Sequence, residues 1–245
     1  MYFKQFQSYR EAQWQTGFIR TVKHQRSQNS VHLVACEFDK YSFVDQCFAD
    51  YGIDFPTEIK GAVAKRKAEY LAGRIVAKHA LSALGIGYAQ QQVRIAPDRS
   101  PIWPDTIRGS ISHTSEFAVC CVAKTTDCSF IGVDSELIFA DAVTHSLAAE
   151  IHDQAELKLF TDVGFSANLA TSIIFSSKES LYKAVYPIVR CFFGFEQARV
   201  SRLEPHNNTL VLSLCNAFAA QHSLTPDQHI QFDIKGALVH TLLIQ

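Results

Sequence analysis

No pair of cysteines in this 245-residue chain is spaced C-x-x-C, no Cys/His spacing suits zinc, and the seven cysteines (Cys36, Cys47, Cys120, Cys121, Cys128, Cys191, Cys215) are an odd number. A disulfide framework and a thiolate zinc site are thereby excluded, and reduced, partly buried thiols in a cytoplasmic protein are expected. Long apolar runs are also missing. The longest, Phe117 to Ala123, is too short to span a bilayer, and the start of the chain, Met1 to Gln7, lacks the apolar stretch of a signal peptide. Neither charge sign dominates: 23 basic residues stand against 24 acidic ones, a net charge of −1. No global field therefore draws nucleic acid or an anionic membrane, and any phosphate binding must be local. Low-complexity tracts, charge blocks and Pro/Gly/Ser-rich linkers are absent too, which argues against loosely tethered domains.

What is present is a core-forming chain, 47% hydrophobic, with mixed periodicities. From Lys65 the residues Ala68, Leu71, Ala72, Ile75, Val76 and Leu84 return at helical intervals, and Gly85 is placed to end the helix. Lys67, Arg74 and Lys78 share one stripe of that helix. After a loop holding Pro97, Arg99, Pro101 and Pro104, the run Phe117–Ala123 reads as a strand buried on both faces. Phe130–Val133 reads as its antiparallel neighbour across the polar turn Lys124–Ser129. Helices are expected over Asp153–Phe160 and from about Leu169 to Val185, before Pro187, with strands over Thr209–Leu214 and Gly236–Leu243. Mixed elements with antiparallel pairing make the fold class α+β.

Two segments carry chemistry. In Ile131-Gly132-Val133-Asp134-Ser135-Glu136, strand alternation puts Asp134 and Glu136 on one side and Ser135 on the other. In Phe175-Ser176-Ser177-Lys178-Glu179-Ser180-Leu181-Tyr182-Lys183, the helical period stacks Glu179 on Lys183. Three carboxylates that meet form a hard-oxygen site of the kind Mg²⁺ uses when it also holds phosphates. Taken singly, each signal has an ordinary reading: a solvated turn for the acids, an i,i+4 pair for Glu179 and Lys183, a structural histidine for His113, a solvated helix face for Lys67, Arg74 and Lys78. Their joint occurrence is what has weight.

That combination, with Arg66-Lys67-Ala68-Glu69-Tyr70-Leu71-Ala72-Gly73-Arg74, Pro101-Ile102-Trp103-Pro104 and Gly109-Ser110-Ile111-Ser112-His113, resembles the 4′-phosphopantetheinyl transferases, and more narrowly the enterobactin synthetase component D type. The motifs occur in family order from about Lys65 to Ala184; the residues before and after give little to match. Ser135 departs from the aliphatic or acidic residue usual between the two acids.

The resemblance implies two similar α/β halves, 1–125 and 126–245, related by a pseudo-twofold axis with the active site between them. It implies transfer of the phosphopantetheine arm of coenzyme A to a serine of an acyl or peptidyl carrier protein, converting apo to holo carrier and releasing adenosine 3′,5′-bisphosphate. Asp134, Glu136 and Glu179 match the family's Mg²⁺ ligands, with Glu179 also the position proposed as general base. Lys178 and Lys183 match lysines beside the pyrophosphate, Arg74 a coenzyme A contact, and Ser112 with His113 the 3′-phosphate contact; Arg99 borders the adenine and 3′-phosphate. A siderophore-type or other carrier is implied as partner, with no nucleic acid, and an internally duplicated fold makes a monomer sufficient. A metal-dependent nuclease is disfavoured, because Glu179 is followed by lysine at i+4 rather than i+2. A non-catalytic module that binds coenzyme A or a carrier is the alternative.

Overall fold

The computed structural model describes residues 6–13, 17–27 and 30–245. They form two compact units that divide between Ser129 and Phe130. The first holds β1 (Phe6–Gln13), β2 (Ile19–Ser27), β3 (His32–Phe38), the single-turn helices α1 (Cys47–Asp50) and α2 (Thr57–Lys60), the long α3 (Ala64–Ala83), β4 (Arg94–Ile95), β5 (Pro101–Ile102), β6 (Ile107–His113) and β7 (Phe117–Lys124). The second holds β8 (Ile131–Leu137), α4 (Asp141–Ile151), α5 (Gln154–Thr161), the long α6 (Ala167–Val189), β9 (Ala198–Glu204), β10 (Thr209–Leu214), α7 (Asn216–Gln221), β11 (Asp227–Lys235) and β12 (Leu238–Ile244). Helix and sheet are mixed within each unit, as the α+β class requires.

Each unit has one five-stranded antiparallel sheet, in the order β1-β2-β3-β7-β6 and β8-β12-β11-β10-β9. The same connection recurs in both. A strand (β3 or β8) leads to the long helix (α3 or α6), and a hairpin (β6–β7 or β11–β12) then returns its second strand to the first strand's edge. α3 buries Ala68, Leu71, Ala72, Ile75 and Val76 on one stripe, and α6 buries Ile173, Ile174, Leu181, Ala184 and Val185. Gly85, at φ +136, follows the end of α3 in a conformation that side chains disfavour.

Two sequence expectations need correction. β7 and β8 are not partners. β7 is buried from Phe117 to Ala123 and already has β3 on one edge and β6 on the other, so neither edge is left for β8. β8 pairs with β12 instead, and its start is closed by Phe130 and Gln245, whose backbones exchange hydrogen bonds. Nor does α6 stop before Pro187. The proline sits in the last turn, where its missing N–H removes one bond, and the helix runs on to Val189 before Arg190 caps it in the left-handed region.

Candidate active site

Gly132 decides where the second unit's motifs meet. A Cβ there would run into the backbone oxygen of Ser180 and press on Ala184, so only glycine lets α6 lie this close to β8. The close approach brings the Ser176–Lys183 face of α6 onto the Asp134 end of β8. Asp134 is 5% exposed, and both its oxygens are engaged: Oδ1 accepts from Lys183 Nζ at 2.6 Å and Oδ2 from Ser176 Oγ at 2.7 Å. Lys183 keeps 27% of its side chain exposed. Behind Asp134, Ser135 turns to the opposite side of the strand, as alternation requires, and shares a 2.8 Å hydrogen bond with His240 Nδ1.

Glu136 and Glu179 complete the acidic group. Burial holds the Glu136 carboxyl above the ordinary carboxylate range, and Asp134 adds to the rise while the Leu137 N–H and Lys183 oppose it. Burial also raises Glu179, with Lys183 opposing and Asp134 and Glu136 reinforcing. The three acids and Lys183 therefore act on one another as a single electrostatic group. Among the described residues, no group of three or more His, Cys, Asp or Glu side chains is gathered so as to hold a metal ion.

Lys178, expected beside a pyrophosphate, is committed elsewhere. It is buried and donates to Glu156 Oε1 (3.0 Å), the Ile151 carbonyl oxygen (2.7 Å) and the Phe195 carbonyl oxygen (3.4 Å). One residue's step along a helix turns the side chain by about 100°, which sends Lys178 towards α5 and β9 while Glu179 and Lys183 keep their own face. Burial lowers the Lys178 pKa, and Glu156 opposes the drop. Beside Glu179 lies a cavity of about 210 Å³ walled by Leu181, Tyr182, Phe192, Phe193 and Phe195.

In the first unit, His113 at the end of β6 meets α3. Arg66 Nη1 lies 2.9 Å from His113 Nε2, and Glu69 Oε2 lies 3.8 Å from His113 Nδ1. Arginine cannot accept a hydrogen bond, so Nε2 is the acceptor and the ring proton sits on Nδ1, towards Glu69. Ser112 is buried beside it. Arg74 stacks on Tyr70, its Cζ 4.3 Å from the ring centroid, and its Nε is buried without a hydrogen-bond partner. Burial lowers the Arg74 pKa, with Tyr70 opposing. Arg74 borders a cavity of about 480 Å³ together with Tyr70, Lys78, Arg94, Val93 and Ile102. The basic stripe of α3 is thus not a solvated face: Lys67 pairs with Asp45 and Lys78 donates to the Tyr51 and Gly52 carbonyls. Arg99 is exposed at the tip of the β4–β5 hairpin with φ +70. Trp103 packs over Gly109, which explains why those two motif positions occur together.

Sequence reasoning singled out Asp134, Glu136, Glu179, Lys183, Ser112, His113 and Arg74 but passed over Arg66, Glu69, Ser176 and Glu156. Ser176 had a usable signal, since it precedes Ser180 by four and Lys183 by seven residues on one helix face. Glu156 had only its capping box with Asp153.

The 4′-phosphopantetheinyl transferase N-terminal domain matches residues 55–123, and the 4′-phosphopantetheinyl transferase superfamily matches residues 130–238. The chain is 36% identical over 162 residues to enterobactin synthase component D of Salmonella typhi, covering 66% of this chain and 65% of that protein. It is 35% identical over 156 residues to the protein of the same name from Escherichia coli K12, covering 64% and 70%. It is 29% identical over 143 residues to the 4′-phosphopantetheinyl transferase PptT of Mycobacterium tuberculosis, covering 58% and 61%.

Proposed function

Given that the chain belongs to the 4′-phosphopantetheinyl transferase superfamily, we propose that it transfers the 4′-phosphopantetheine group of coenzyme A to a serine hydroxyl of an acyl or peptidyl carrier protein. The match spans 65% of the Salmonella relative's length, and the enterobactin name of that relative supports a siderophore-type carrier as the partner class. The observation that carries the reading is the group Asp134, Glu136, Glu179 and Lys183 on β8 and α6.

The donor set fits Mg²⁺, which needs only one or two carboxylates when substrate phosphates and water complete its shell, so the open arrangement of the acids is no obstacle. Asp134 and Glu136 would hold it, and when bound it neutralises charge building on the departing phosphate. Lys183 contributes a mobile cation that can pass from Asp134 Oδ1 to a phosphate oxygen. The carrier serine oxygen forms a bond to the phosphorus that bears pantetheine, the bond from that phosphorus to adenosine 3′,5′-bisphosphate breaks, and the serine proton goes to Glu179. We assign the proton to Glu179, whose carboxyl burial raises as it does that of Glu136. The aromatic cavity beside Glu179 suits an uncharged, largely apolar arm.

In the first unit we assign the 3′-phosphate to His113 and Ser112, with Arg66, which lies against His113, turning its own guanidinium donors to the same anion and freeing the ring nitrogen it now occupies. Arg74, with an unmet buried donor, supports the coenzyme contact from its cavity, and Arg99 at an exposed hairpin tip takes a peripheral part. We give Lys178 a positioning role, since its donors are already taken. All seven thiols are free and no described helix is long and apolar enough to cross a membrane; we place the protein in a reducing cytoplasm on the first of these. The intact mass of an apo carrier protein after incubation with this protein, coenzyme A and Mg²⁺ tests the reading. A gain of one phosphopantetheine is expected; coenzyme A binding with no gain leaves a non-catalytic binding module.

A further inference from the structure

Three buried hydroxyls stand behind Asp134. Ser176 and Ser180 lie one turn apart on α6, and Thr241 is the cross-strand partner of Asp134 on β12. All three are 0% exposed. Ser176 Oγ is 2.7 Å from Asp134 Oδ2, Thr241 Oγ1 is 2.9 Å from Ser176 Oγ and 2.7 Å from the Ser176 carbonyl oxygen. Ser180 Oγ is 2.7 Å from Thr241 Oγ1 and 3.1 Å from the Thr241 carbonyl oxygen.

Each hydroxyl has one proton, and a carboxylate has none, so the direction of these bonds is constrained from one end. Ser176 must give its proton to Asp134 Oδ2. If Thr241 then pointed its proton at Ser180, its oxygen would face both Ser176 oxygens with no proton between, at 2.7 and 2.9 Å. Thr241 therefore donates towards Ser176, its one proton shared between the Ser176 carbonyl oxygen at 2.7 Å and Ser176 Oγ at 2.9 Å, and Ser180 donates to Thr241 Oγ1. All three protons run the same way, and hydrogen bonds aligned head to tail polarise and strengthen one another in a low-dielectric interior.

We propose that Ser180, Thr241 and Ser176 form a directed hydroxyl chain that fixes the rotation of the Asp134 carboxylate, leaving Oδ1 alone to exchange Lys183 for a divalent cation. The proposal rests on the metal reading of Asp134 above. The three hydroxyls are positioning residues: they act through Asp134 and touch neither substrate nor metal. Groups that orient a ligand in this way typically contribute about 10- to 100-fold to metal affinity.

The test is Mn²⁺ binding, followed by the electron paramagnetic resonance signal of free Mn²⁺, on the full chain with coenzyme A present and the binding to coenzyme A alone subtracted. The variants are S176A, T241V, S180A, T241S and D134N, with thermal unfolding measured on each. Wild type is expected to bind and D134N to lose binding. S176A should weaken binding by about 10- to 100-fold, T241V by less and S180A least, while T241S, which keeps the hydroxyl, binds as wild type does. Wild-type affinity in both S176A and T241V, with D134N still defective, overturns the chain and leaves the metal reading standing. Loss in T241S equal to that in T241V also overturns it, since packing rather than the hydroxyl would then matter. A wild type that binds no Mn²⁺ overturns both.

Discussion

Lys178 and Glu156 form an ion pair sealed from solvent on both sides, with 3.0 Å between Nζ and Oε1 and side chains 3% and 4% exposed. Glu156 also accepts from the Val200 and Asp153 N–H groups, so the pair ties α5, α6 and β9 together. Removing one partner of such a pair leaves a buried charge and typically costs about 3–5 kcal/mol. K178M is therefore expected to lower the unfolding free energy from denaturant titration by that order, with E156A lowering it at least as far because two backbone donors are orphaned as well. In K178M that remains folded, KM for coenzyme A should stay near wild type; a large rise in KM would return Lys178 to the phosphate.

Asp134→Asn and Glu179→Ala should each cut carrier modification by at least about 10²-fold, the usual loss when a preorganised charge at the reacting centre is removed. Single-turnover mass measurement at saturating coenzyme A, with circular dichroism to show folding, checks this. Near-normal turnover in either would overturn the metal and base assignments.

Arg74→Met removes a buried guanidinium whose Nε has no partner, so its effect on stability should be small or favourable. Coenzyme A binding, by contrast, should weaken by about 10- to 100-fold, the worth of one or two charge-assisted hydrogen bonds. Calorimetric titration with coenzyme A decides between this and a purely structural arginine.

Gly132→Ala forces a Cβ into the Ser180 carbonyl oxygen, a backbone atom that cannot swing aside. Overpacking of this kind typically costs about 1–3 kcal/mol or more. Because the displaced segment of α6 carries Glu179 and Lys183, transfer should fall further than thermal stability does, which parallel melting and activity measurements would show.

His32, buried on β3, has its pKa lowered to about 4, chiefly by burial and secondarily by Arg26 and His24. Between its unfolded value near 6.5 and about 4 the unfolded chain binds the proton and the folded one does not. Stability is then expected to fall as pH drops through that window, by an amount on the order of 3 kcal/mol. His32→Gln should flatten the slope in urea unfolding followed across the window; an unchanged slope would assign the acid sensitivity elsewhere.

The acids and Lys183 were legible because each relation is local: alternation sets Asp134 against Ser135, and the helical period sets Glu179 over Lys183. What the sequence hid is register. Ser176 and Thr241 touch across 65 residues only because β12 pairs with β8 at one offset, and no local pattern states that offset. The mistaken β7–β8 hairpin has the same origin: a short polar turn looks alike whether it folds a strand back or passes the chain to a new sheet. Lys178 misled for a different reason. A lysine beside Glu179 has no marker of which way it faces until Glu156 is in place.

The repeated strand–helix–hairpin connection bears on the charge balance with which the chain presents itself. One copy places Arg66, Arg74 and Lys78 on its helix; the other places Asp134, Glu136 and Glu179 on its strand and helix. The near-neutral total is thus an average that conceals two opposed specialisations of a single architectural phrase. The local fields of the two copies are opposite, and the net charge of −1 is silent about either.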